Sequence, residues 1–179
     1  MKKFRFPLAM LAITLAFVTC GGKAAPASDF SYVLTADGTG IVINQYTGNG
    51  GSVVIPAEIE GIPVVRFGIR AFYGEDDSSY GPGYNITSVV IPASVKRIES
   101  RCFSWIENLT SVTILGTGVE LDQLVFGRAI NLTELKIPNG DNVLIPWGAF
   151  STNRNAFAEC RKLPLAMRTR LKFMGFSEP

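Results

Sequence analysis

The sequence predicts a β-rich solenoid, and three observations carry that expectation. Asn85-Ile-Thr-Ser-Val-Val-Ile, Asn108-Leu-Thr-Ser-Val-Thr-Ile and Asn131-Leu-Thr-Glu-Leu-Lys-Ile begin 23 residues apart. Each closes on a short run with apolar residues at alternate positions, the period of a strand that buries one face. A second column, Ala71-Phe72, Cys102-Phe103, Val125-Phe126 and Ala149-Phe150, sets a small or medium apolar residue before an aromatic. A unit of this size cannot bury such faces alone, so neighbouring units must stack.

The first residues stand apart from that pattern. Lys2, Lys3 and Arg5 precede an apolar run from Pro7 to Val18 that is too short to cross a bilayer, and small residues follow. This is the layout of a secretory signal, assigned to residues 1–19. The formal charge of +2 loses those three cations on removal and becomes −1, so nucleic acid is a poor partner. Two processing sites stay open. Phe17-Val18-Thr19-Cys20-Gly21-Gly22 is similar to a lipobox, in which Cys20 is acylated and becomes the new terminus; Phe17 and Thr19 depart from the usual residues there. Ala25-Pro26-Ala27 suits ordinary secretion. Lipidation is preferred, because a cysteine followed by two glycines directly after the apolar run has no other evident use. It would tether the protein to a bacterial envelope or cell surface without spanning the membrane.

Residues 20–29 then read as a linker rich in Gly, Ala, Pro and Ser. Phe30 to Thr35 and Ile41 to Tyr46 flank Asp37-Gly38, a hairpin signal, so residues 30–51 are expected to cap the first repeat. Repeats fill residues 52–163. Their strand cores place Val53, Ile55, Val89, Ile91, Val112, Ile114, Leu135 and Ile137 inward, and leave Val54, Val90, Thr113 and Lys136 facing out in one strip. Proline after the isoleucine at 56, 92 and 138 ends each strand; Leu115 is the exception. The phenylalanines should form a spine opposite the strands, with Ile86, Leu109, Leu132 and Leu163 completing each interior and Ile98, Leu121 and Leu144 at a following bend. The whole is a leucine-rich-repeat-like right-handed stack of about four ~23-residue repeats.

Residues 164–179 close the chain. Leu165 to Met174, stopped by Gly175, read as a short amphipathic helix. Leu165, Met167, Leu171 and Met174 would cover the last repeat while Arg168, Arg170 and Lys172 stay wet. Such a helix also suits a membrane surface, but its place after the last repeat favours capping.

The Ile-Pro strand, the Ala-Phe step and the Leu-Thr-Ser restart together resemble the BspA-like bacterial leucine-rich repeat family, from Gly51 to about Leu163. Gly61-Ile-Pro-Val-Val is similar to its opening unit. Ala156-Phe157-Ala-Glu-Cys160-Arg-Lys-Leu163 is similar to its Ala-Phe-x-x-Cys-x-x-Leu step, which gives the last repeat two candidate registers. The resemblance implies a surface or secreted protein, in several members linked to adhesion, and brings no catalytic residues.

No histidine occurs in the chain, which removes the commonest general base and zinc ligand. Gly48-Asn-Gly-Gly51 lacks the Lys-Ser/Thr of a phosphate loop and reads as a turn. The three Asn-x-Thr triplets match glycosylation acceptors, yet they recur with the repeat and are better explained as side chains bonding backbone at the turn before each strand. Cys102 and Cys160 lie in repeats too far apart for a disulfide and read as small buried hydrophobes. Residues 73–84 break the period with an insertion that carries Tyr73, Tyr80 and Tyr84 beside Glu75, Asp76 and Asp77. This composition suits contact with proteins or glycans; a plain surface loop and a Ca²⁺ site are the rival readings. The expectation is a binding module rather than an enzyme, with no cofactor or metal. Its partner would be a protein or glycan, of the host or extracellular matrix among others, met by the outward strip and the insertion. A structural envelope protein that self-associates is the alternative.

Overall fold

A computed structural model of the chain describes residues 22–76, 79–81, 83–138, 143–144 and 155–176. The first two strands, β1 (Phe30–Leu34) and β2 (Ile41–Tyr46), pair antiparallel with Phe30 opposite Tyr46. Their turn is organised by Asp37, whose carboxylate accepts from the hydroxyls of Thr35 and Thr39 and from the Thr39 N–H. These donors, Thr35 first, hold the exposed Asp37 carboxyl at about 2.

Strand β3 (Gly51–Val54) is followed by the antiparallel pair β4 (Glu58–Ile59) and β5 (Ile62–Phe67). The insertion folds as a small hairpin, β6 (Glu75–Asp76) with β7 (Ser79–Tyr80). The chain then alternates between two sheets through β8 (Ile86–Ile91), β9 (Arg97–Ile98), β10 (Ser111–Ile114), β11 (Val119–Leu121), β12 (Glu134–Lys136) and β13 (Val143–Leu144). One sheet is wholly parallel in the order β12-β10-β8-β3. The other runs β1-β2-β5-β9-β11-β13, with β4 on β5. Adjacent repeats meet in register: Val112 lies beside Val89 on one side and Leu135 on the other.

That register stacks like on like. The eight inward residues expected from alternation, from Val53 to Ile137, are all buried. Ile98 and Leu121 are buried too, but they belong to the second sheet instead of a simple bend. Strands of two or three residues are too short for alternation to announce them.

Between the sheets runs a file of rings. Tyr46, Phe72, Phe103, Phe126 and Phe157 stack at centroid separations of 5.6, 4.6, 5.4 and 5.1 Å, and Phe30 and Phe176 close the two ends. Phe157 therefore gives the last ring of the file, the second of the two registers; Ala149-Phe150 lies outside the described residues. Backbone hydrogen bonds run beside the rings, from the Phe72 N–H to Cys102 O, Phe103 to Val125 O and Phe126 to Ala156 O, at 2.7 to 2.9 Å. Each such step is bent by left-handed residues that are not glycine. Arg70, Arg101 and Leu124 precede the small residue, while Trp105, Arg128 and Glu159 follow the phenylalanine by two. These conformations are locally costly, so the stacking and the inter-repeat bonds must hold them. Arg128 also lies 4.0 Å above the Trp105 ring.

The single α-helix among the described residues, α1 (Leu165–Phe173), ends in a Schellman motif. Gly175 takes φ 92°, its N–H donates to Lys172 O, and the Phe176 N–H donates to Leu171 O. Leu171 and Phe176 are buried, and Met167 and Met174 pack partly against the core. Leu165 departs from the expectation: it is 71% exposed. At 100° per residue it lies well round the helix from Leu171, on the outward side.

Cys102 and Cys160 are both free and buried. Burial pushes the Cys102 thiol up and carries Cys160 to about 12. The Cys160 thiol donates to Phe126 O at 3.2 Å.

Candidate binding surface

The parallel four-stranded sheet presents its outward side chains in two rows. Ser52, Ser88, Ser111 and Glu134 form one, and Val54, Val90, Thr113 and Lys136 form the next, each residue directly beside its neighbour in the adjoining strand. The first row is linked by hydrogen bonds: Ser88 Oγ donates to Ser52 Oγ, and Ser111 Oγ to Glu134 Oε2, both at 2.8 Å. Lys136 Nζ sits 2.7 Å from Glu134 Oε1. This ammonium, then the Ser111 hydroxyl, hold the Glu134 carboxyl below its ordinary value. A third row of exposed threonines, Thr87, Thr110 and Thr133, lies alongside, with Thr110 Oγ1 donating to Thr87 O and Thr133 Oγ1 to Thr110 O. Small, mutually bonded side chains make a flat face of fixed 4.7 to 4.9 Å pitch.

Not every residue of the expected strip is equally available. Lys136 is exposed, Val54 and Val90 are half-buried, and Thr113 is only 6% exposed. Thr113 faces out, but it is short and sits between Val90 and Lys136, which cover its flanks. At the Val54 end the Ala25 N–H donates to Val54 O at 2.8 Å, so part of the expected linker is docked on the edge of β3. Cys20 lies outside the described residues.

Asparagine supplies the turn that leads into this face. Asn108 Nδ2 donates to Tyr84 O at 3.0 Å and Asn131 Nδ2 to Glu107 O at 2.8 Å. Each bond reaches the repeat before its own, so the side chain ties neighbours together rather than closing a local turn.

The tyrosines of the insertion separate. Tyr73 is 8% exposed and belongs to the wall of the core, which corrects its expected place on a contact surface. It follows Phe72 directly, and Arg70 lies over its ring at 5.4 Å. Tyr84 is half-buried, and Tyr80 occupies β7 opposite Glu75. Gly83 anchors the hairpin: its N–H donates to Tyr73 O, and an added Cβ would lie 1.7 Å from Phe72 O, so a side chain there cannot be accommodated.

The other sheet carries a charged row that the sequence pattern did not disclose. Arg97 reaches both oxygens of the nearly buried Asp122 at 3.1 and 3.2 Å and lies 3.9 Å from Glu120, while Arg66 pairs with Glu99 at 3.6 Å. Asp122, Glu120 and Glu99 raise the Arg97 pKa, with the Asp122 hydrogen bond the largest cause. The pairing follows from Arg97 standing beside Glu120 in the register of β9 and β11. Among the described residues, no cluster of three or more His, Cys, Asp or Glu is placed to hold a metal ion, and no helix is long and apolar enough to cross a membrane.

Parallel repeats at a 23-residue offset, a phenylalanine file and an asparagine tie define a leucine-rich repeat protein, mostly strand with one short C-terminal helix. Six copies of the BspA type leucine rich repeat region match residues 76–164, so this region is built from that family's repeats. Among solved structures, it is similar to a leucine rich cell surface protein of Faecalibacterium prausnitzii, at 28% identity and a TM-score of 0.58 over 80% of this chain. The chain spans 36% of that protein's length. A leucine-rich repeat protein of Bacteroides capillosus shares the fold at 24% identity and a TM-score of 0.52, covering 64% of this chain and 82% of its own. No curated protein matches the sequence.

Proposed function

We propose that this is an exported, lipid-anchored member of the family that binds a protein or glycan through the outward face of its four-stranded sheet. The observation that carries the reading is the flat face itself, three rows of mostly short side chains, in two of which hydroxyls are tied to a neighbouring side chain or to backbone. Such a surface loses little conformational freedom when a partner covers it. Lys136 and Glu134 give one end a charged rim, and Tyr84 with the β6-β7 hairpin extends the surface past the turn. The cell-surface description of the F. prausnitzii protein supports export. The four parallel strands support a stack of about four repeats, which we take as right-handed, with residues 30–51 and 164–179 as its covers.

Mass spectrometry of the native N-terminus tests the anchor. Diacylated Cys20 is the expected terminus, and Cys20→Ser should release the protein from detergent-soluble membranes. Processing after Ala27 would replace anchoring with secretion. Binding is tested by screening the purified protein on glycan arrays and immobilised extracellular-matrix proteins, then repeating the positive surfaces with Val90→Lys.

A further inference from the structure

The outward side of α1 is the most conspicuous surface that the repeat face leaves unused. Leu165, Ala166, Thr169, Lys172 and Phe173 are all exposed, Phe173 to 89%, so two large apolar groups stand in water on one side of a helix whose other side is already packed. At 100° per residue these five positions fall within an arc of about 120°. The surrounding charge is mostly positive. Arg161, Lys162, Arg168, Arg170 and Lys172 are the charged residues between 160 and 176, and no carboxylate interrupts them. Arg161, Lys162 and Lys172 are exposed. Glu159 precedes the segment and shares a hollow with Arg161 and Lys162, and Glu178 follows it.

We propose that this face is a docking site for an anionic lipid surface, with Leu165 and Phe173 entering the headgroup boundary and Lys172, Arg161 and Lys162 meeting the phosphates. Exposed apolar groups flanked by cations are features of a helix that lies at a lipid interface. An acidic protein groove is the competing occupant, and a missing shift with anionic vesicles would favour it. Gly22 lies against Val54 at the β3 end, whereas α1 packs on the last repeat through Phe157 and Phe176.

The test places a reporter at the site: the full chain carrying Phe173→Trp is mixed with vesicles of phosphatidylcholine, alone or with about one third phosphatidylglycerol. Parent-chain emission, from Trp105 and Trp147, is subtracted, so the signal reports residue 173. The added tryptophan is expected to shift to the blue with the anionic vesicles and not with the neutral ones. Lys172→Gln, Arg161→Gln and Lys162→Gln should each raise the lipid needed for half the shift about five-fold. Phe173→Ser should leave the melting curve in place, since the side chain makes so little contact. Equal shifts with both vesicles, or none, overturn the proposal. So does a shift that grows with protein concentration in the absence of lipid, which would assign the face to a second copy of the chain. Loss of binding at the sheet face would leave all these outcomes untouched.

Discussion

Replacing Phe103 with alanine removes the middle ring of the file. Phe103 is fully buried, stacks at 4.6 Å on Phe72 and 5.4 Å on Phe126, and meets the edge of Phe67 at 5.9 Å. Truncating a buried phenylalanine costs about 3 to 5 kcal/mol, as transfer energy lost plus the cavity left behind. The upper half of that range is expected, because the flanking rings are fixed by backbone bonds from one repeat to the next and cannot move in to fill the space. Urea melts at constant slope give the difference directly, and a fall in Tm of roughly 8 to 20 °C should accompany it for a chain of this size. Phe173→Ala is the control, expected within about 0.5 kcal/mol of the parent because that ring is exposed. A loss below about 1 kcal/mol at Phe103, or equal losses at 103 and 173, would refute the view that stacked rings hold the repeats together.

Three further outcomes follow from single contacts. Asn131→Ala should cost about 0.5 to 1.5 kcal/mol in the same melts, since it severs the bond to Glu107 O together with the one that Oδ1 accepts from Lys162 Nζ; no change would mean that water replaces the side chain freely. The Asp37 carboxyl, depressed from an ordinary 3.8, should titrate at about 2 by NMR. Because the folded value is the lower one, its contribution to the hairpin is present above pH 4 and is lost as pH falls through 2; an ordinary midpoint would dissolve the turn network. Cys102 and Cys160 should stay silent toward a thiol reagent at pH 8 and react only after denaturation, and rapid labelling of the folded chain would contradict their burial.

Much of this arrangement was legible because stacking repeats a choice. Val89, Val112 and Leu135 occupy one register position, so the same residue type recurs and the column can be counted. The second sheet was not legible, since Arg97–Ile98 is two residues long and one of them is charged. Its salt bridges depend on which residues become neighbours across repeats, a distance relation rather than a spacing. The left-handed positions were hidden for a different reason: Arg101, Trp105 and Arg128 are not residues that advertise positive φ, and only the packed surroundings hold them there. At the candidate surface, alternation correctly turned Val90 and Lys136 outward. Exposure depends also on neighbour size, so Thr113 and Tyr73 proved buried and Leu165 proved exposed.

The sharpest test of the binding reading is the attachment of Val90→Lys, measured by surface plasmon resonance on whichever glycan or matrix protein captures the parent chain. Val90 faces out between Val54 and Thr113, so a long charged side chain there should raise the flat face without entering the core. The expected result is at least a ten-fold loss of affinity, about 1.4 kcal/mol, with an unchanged melting curve. Undiminished binding by a folded Val90→Lys chain would show that the partner sits elsewhere on the molecule.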